Sequence, residues 1–243
     1  MTGGTRTPLR CDVVAQSLDA AEHEWRLPVV DGTPAGNARI LQWITQGLEW
    51  RWVTSYRPNT FQECGAFVAW CLAAAGLHQR FRATDMSSVE RIEAAGRYAC
   101  YTGLAPTHVG LHGEALQPIK DFHKANGGLR LHQRVRVGRE LAWPIEPGDV
   151  LLVGPDATDG AKGAHGRHVC LVRDVDMASG TIGTWEGNAG GAGPDGRKYT
   201  GAVRQTRPLP TKDNLHAYHV RTVVRWALAD FNPSLDVVIQ AGK

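Results

Sequence analysis

The chain has 243 residues, 27 Lys and Arg against 24 Asp and Glu, and 42% hydrophobic residues, the make-up of a soluble globular protein long enough to bury a core without staples. A net charge of +3, with no basic tract interleaved with aromatic residues, argues against a nucleic-acid partner. The five cysteines are odd in number and form no CxxC pair, which excludes a zinc ribbon or a disulfide framework as the organising device.

The first ten residues are small and polar and read as a disordered start. They hold no apolar segment of signal-peptide length, so synthesis in the cytoplasm without a signal peptide is expected. Asp12 to Leu27 reads as a helix through Val14, Leu18, Ala21 and Trp25, and Pro28 to Asn37 as a loop. Ala38 to Trp52 predicts a second helix, and Tyr56 to Thr60 a turn. Phe61 to Leu77, FQECGAFVAWCLAAAGL, predicts a third helix with Cys64 in its first turn and Gly76 as its stop. Phe67, Val68, Cys71, Leu72 and Ala75 follow Cys64 at helical spacing as one core-facing stripe. The apolar run from Gly65 to Leu77 is too short to span a bilayer, so no membrane insertion is expected.

Ser87 to Ala99 and Glu114 to Ala125 read as further helices, and Leu129 to Val137 as a strand with one wet face. From Pro147 the pattern becomes β: PGDVLLVG is a turn and a buried strand, followed by strands over Val169–Val175 and Thr181–Glu186 across a turn at Asp176–Gly180. Residues 189–196 read as a loop, and Tyr199–Arg207 and Val220–Leu228 as two more strands. Helices followed by an antiparallel sheet make an α+β fold.

The start of a buried helix suits a nucleophilic cysteine, because unpaired N–H groups and the helix dipole favour the thiolate. His168 begins one strand, and Glu186 and Asn188 end the next in TWEGN. If the two strands form a hairpin, the imidazole lies near Glu186 and can take the Cys64 proton, while Glu186 or Asn188 fixes its tautomer. Such a set performs acyl transfer through a thioester. The Cys64 N–H is one oxyanion donor, and Gln62, Asn59 or Tyr56 is the second.

CGAFVAWCLAAAG, PGDVLLVG, HVCLV and TWEGNAG, in that order, resemble the CHAP amidohydrolase/peptidase group of the NlpC-type, papain-like cysteine hydrolases. The resemblance runs from about Phe61 to Asn188 and implies a papain-like α+β fold, with helices packed on an antiparallel half-barrel. It implies no metal and no cofactor. The substrate it implies is peptidoglycan, cut at N-acetylmuramoyl-L-alanine or stem-peptide amides. It assigns Cys64 as nucleophile, His168 as base, Glu186 as orienting acid and Asn188 as a fourth polar member. Residues 11–232 form one catalytic domain on this reading, with a helical insertion over about 78–143 and a tail over 233–243. Action on a cell wall without a signal peptide implies a phage lysin or an injected antibacterial toxin, the latter with an immunity protein as partner.

The chain departs from the pattern in three places: Glu63 brings a charge beside the nucleophile, Cys170 replaces a small residue, and 104 positions separate Cys64 from His168. Alternatives are a papain-like deamidase, transglutaminase or protease acting on protein, or a binding module of the same fold without turnover. Cys71, on the same helical face two turns deeper, reads as core and is the fallback thiol. His165 and His168 flank Gly166-Arg167 without a third ligand, Trp185 reads as core or cleft wall, and His108, His112, His123 and His132 read as solvent-facing.

Overall fold

The computed structural model describes residues 10–47, 54–58, 63–76, 131–134, 144–154, 168–209 and 219–225. Helices precede an antiparallel sheet, and the fold class is α+β. The helices predicted over Ser87–Ala99 and Glu114–Ala125, most of the stretch 78–143, and the tail from 233 lie outside the described residues.

Helix α1 (Arg10–Arg26) buries Val13, Ser17, Ala21, Glu24 and Trp25. This stripe is turned by one position from the apolar one through Val14 and Leu18, because two polar residues go inside with partners. Ser17 Oγ donates to the Val14 carbonyl at 2.8 Å. The Glu24 carboxylate accepts from Arg39 Nε at 2.7 Å, Trp43 Nε1 at 3.0 Å and Trp70 Nε1 at 3.2 Å, and it also pairs with Arg39 Nη2. A buried carboxylate so satisfied joins four consecutive pieces of helical chain at one point.

The second helix, α2 (Pro34–Gln42), starts earlier than its sequence predicts. Thr33 caps it, accepting from Gly36 N at 3.0 Å, and Pro34 fills the first turn, where a missing N–H costs nothing. The proline and glycine that read as loop are therefore a helix start. A π-helical turn, Trp43–Gly47, follows and lies against the next helix. A Cβ on Gly47 would sit 2.5 Å from the Trp70 backbone nitrogen, so only glycine permits this approach.

Helix α3 (Cys64–Ala74) is buried from Cys64 to Ala69 and again at Cys71 and Leu72. It is apolar around nearly its whole circumference, so it is a core helix and not the one-striped helix expected. The π-helical turn, α1 and the sheet enclose it. Phe67 meets Trp43 edge to face at 5.1 Å, and Gly76, with φ of 83°, ends it as predicted.

Among the described residues the sheet has six antiparallel strands, β1 (Leu131–Arg134), β2 (Val150–Gly154), β3 (His168–Asp176), β4 (Thr181–Ala192), β5 (Lys198–Pro208) and β6 (His219–Arg225). Their order is β1-β6-β2-β3-β4-β5. The Pro147-Gly148 turn enters β2 and is tied to β3, with Val172 N bonded to Asp149 O at 2.8 Å. Ile145, Leu151, Val153, Cys170, Val172, Ile182, Val220 and Val223 form one apolar cluster of the sheet. The predicted loop over 189–196 is a correction: β4 continues to Ala192, and the chain reverses at residues 193–197 into β5. Glycines at 190 and 191 masked this extension, since they weaken any strand signal.

Candidate active site

Strands β3 and β4 are the predicted hairpin. Val172 faces Thr184 across it, so alternation puts His168, Cys170 and Val172 on the face that carries Thr184 and Glu186. His168 at the start of β3 thereby meets Glu186 midway along β4, with Nε2 to Oε2 at 2.8 Å. Helix α3 packs against both strands, and it does so closely because β4 has glycine beside the acid. A Cβ on Gly187 would stand 2.4 Å from the Phe67 Cβ. The close approach brings Phe67, three residues after Cys64, against β4.

Cys64 hydrogen-bonds the His168 side chain. Because Nε2 is held by Glu186, the nitrogen that faces sulfur is Nδ1. Burial alone would push the imidazole pKa down, but the bonds and charges of Cys64 and Glu186 outweigh it and raise the value above the ordinary 6.5. Burial likewise pushes Glu186 up, and His168 and Arg207 together hold it below the usual carboxylate range. The arrangement favours a protonated imidazole beside an ionised Glu186.

Two partners of Glu186 have no signal in the sequence. Thr184 Oγ1 donates to Oε1 at 2.5 Å. Arg207 on β5 donates Nε to Oε1 at 2.8 Å and Nη2 to Oε2 at 2.7 Å, a forked pair. A single arginine at a strand end carries no motif, and only the strand register brings it to the site. Cys170, at the position where a small residue was expected, lies close enough to Arg207 for the two to interact. Burial raises both Cys170 and Cys71 well above the ordinary thiol range, so they stay protonated, unlike a nucleophile.

Comparison with protein-family models, curated proteins and solved structures finds no match to this chain.

Of the other predicted site residues, Asn188 lies at a bulge of β4 against β5 with a left-handed backbone, φ 52°. The nitrogen it was expected to compete for is taken by Glu186. Tyr56 is a correction. Its hydroxyl sits 3.0 Å from Asp31 Oδ1 and also bonds Glu63 Oε1, so its one proton is committed away from any oxyanion. Gln62 and Asn59 lie outside the described residues. Glu63 does point inward, with its side chain buried and no capping bond to α3. Burial raises its carboxyl to about 7, which removes much of the charge that would oppose a thiolate. Among the described residues no cluster of three His, Cys, Asp or Glu could hold a metal ion, and no helix is long and apolar enough to cross a membrane.

Proposed function

We propose that this chain is a papain-like cysteine amidohydrolase that cleaves amide bonds of peptidoglycan. The observation that carries the chemistry is the sequence of contacts from Cys64 at a helix start, through His168, to the buried Glu186. The thiolate attacks the amide carbonyl carbon, and the Cys64 N–H at the start of α3 supplies one oxyanion donor. His168 passes its proton to the leaving nitrogen as the carbon–nitrogen bond breaks, leaving a thioester on Cys64. The neutral imidazole then takes a proton from water, which attacks the thioester and releases the acid and the thiol. Glu186 keeps Nδ1 directed at sulfur throughout.

Peptidoglycan as substrate is supported by the CHAP-like order of motifs around Cys64, His168 and Glu186. On this reading the protein is a phage lysin or an injected antibacterial toxin, and a toxin requires an immunity protein that covers the cleft. The test is digestion of purified sacculi, with released fragments identified by mass spectrometry. The wild type yields fragments with new amine and carboxyl ends, and Cys64→Ala yields none. Intact sacculi after wild-type treatment would overturn the wall substrate.

A further inference from the structure

Arg207 is a half-buried cation that the steps above do not use. Its guanidinium grips both oxygens of Glu186, at 2.8 and 2.7 Å, and interacts with the nearby Cys170. The carboxylate it grips is fully buried. We propose that Arg207 is a positioning residue of the hydrolytic site, whose fixed charge and forked bonds keep Glu186 ionised and oriented in both protonation states of His168.

The need for it follows from the proton count over one cycle. While His168 is an imidazolium, Glu186 has two cations beside it. Once the proton leaves with the amine, His168 is neutral, and Arg207 is the one charge among the side chains bonded to Glu186 that does not change with pH. Without it, a carboxylate cut off from water would favour its neutral form, and the His168–Glu186 pair would keep a proton that catalysis needs to release. The groups facing this cluster are His168 and Cys170 from β3, Thr184 from β4, and Cys64 with Glu63 from the start of α3. Tyr56 and Asp31 stand behind Glu63. Cys170 remains a neutral thiol and donates toward the Leu151 carbonyl at 4.0 Å, so it cannot replace the lost cation.

This role rests on the Cys64–His168–Glu186 reading, and the test needs no substrate. The ultraviolet absorbance of the Cys64 thiolate, taken as wild type minus Cys64→Ser, is titrated against pH and repeated with Arg207→Gln and Arg207→Lys. Glutamine keeps one planar donor to Glu186 without charge; lysine keeps the charge with less of the geometry. Loss of the cation disfavours every nearby anion, so the midpoint in Arg207→Gln moves up by about one unit, with about tenfold less thiolate on the acid side. Arg207→Lys stays within a few tenths of wild type. An unmoved midpoint in Arg207→Gln, or an equal rise in both variants, would overturn the proposal. Should the Gln chain not fold, the Lys chain decides alone: a rise of a full unit in it refutes the role of charge. A wild type with no Cys64 thiolate signal is a different result, because it removes the hydrolase site itself.

Discussion

Glu63 stands one residue before Cys64 with its carboxyl inside the protein, where burial lifts its pKa to about 7. The Tyr56 hydroxyl has one proton and faces two carboxyls, Glu63 and Asp31. Both contacts are hydrogen bonds when Glu63 is protonated, donating to the Tyr56 oxygen while Tyr56 donates to Asp31. The consequence for stability has a definite sign. A carboxyl whose pKa is higher folded than unfolded holds its proton in the folded state, so its contribution is fully present below the ordinary carboxyl value of 4.5. It is lost as pH rises toward 7. Wild type should therefore be roughly 2 kcal/mol less stable at pH 7 than at pH 5, and Glu63→Gln should lose most of that difference. Urea unfolding at the two pH values measures it, and equal slopes in the two proteins would contradict the assignment.

At the scale of elements, the site depends on how closely α3 approaches β4. Gly187→Ala puts a methyl 2.4 Å from the Phe67 Cβ, so the helix or the strand must shift to admit it. The expected cost is about 1–3 kcal/mol, together with a fall in turnover of tenfold or more as Cys64 moves from His168. A variant that loses stability but keeps full turnover would show that this contact does not set the catalytic geometry. The same scale explains what was legible in the sequence. The start of α3 and the β3–β4 hairpin were legible because helical period, turn residues and strand alternation are local signals. The start of α2 was misread because Pro34 and Gly36 mark a helix entry as readily as a loop. The buried face of α1 was missed because Ser17 and Glu24 are polar, and their partners lie on their own turn or on other elements. Arg207 and Thr184 were invisible for a related reason: their part in the site is defined by contact with Glu186 and by no pattern along the chain.

For the whole molecule, the fold brings together groups 104 positions apart, with α3 supplying a thiol and the sheet an imidazole, a carboxylate and a guanidinium. The α-helical layer is fixed through Glu24, and the sheet through its six paired strands, so the contact between sulfur and imidazole is made by two independently braced parts. His168 is raised above its ordinary 6.5 by Cys64 and Glu186, so the ion pair it forms is complete below that value and is lost as pH rises through its own, higher one. The most direct test of the account is whether Cys64 is a thiolate at pH 6, below the ordinary thiol value of about 8.5. Thiolate absorbance of wild type at pH 6, corrected with Cys64→Ser, should show it, and His168→Ala should abolish it. No thiolate in the wild type, or an undiminished signal without the imidazole, would contradict the account.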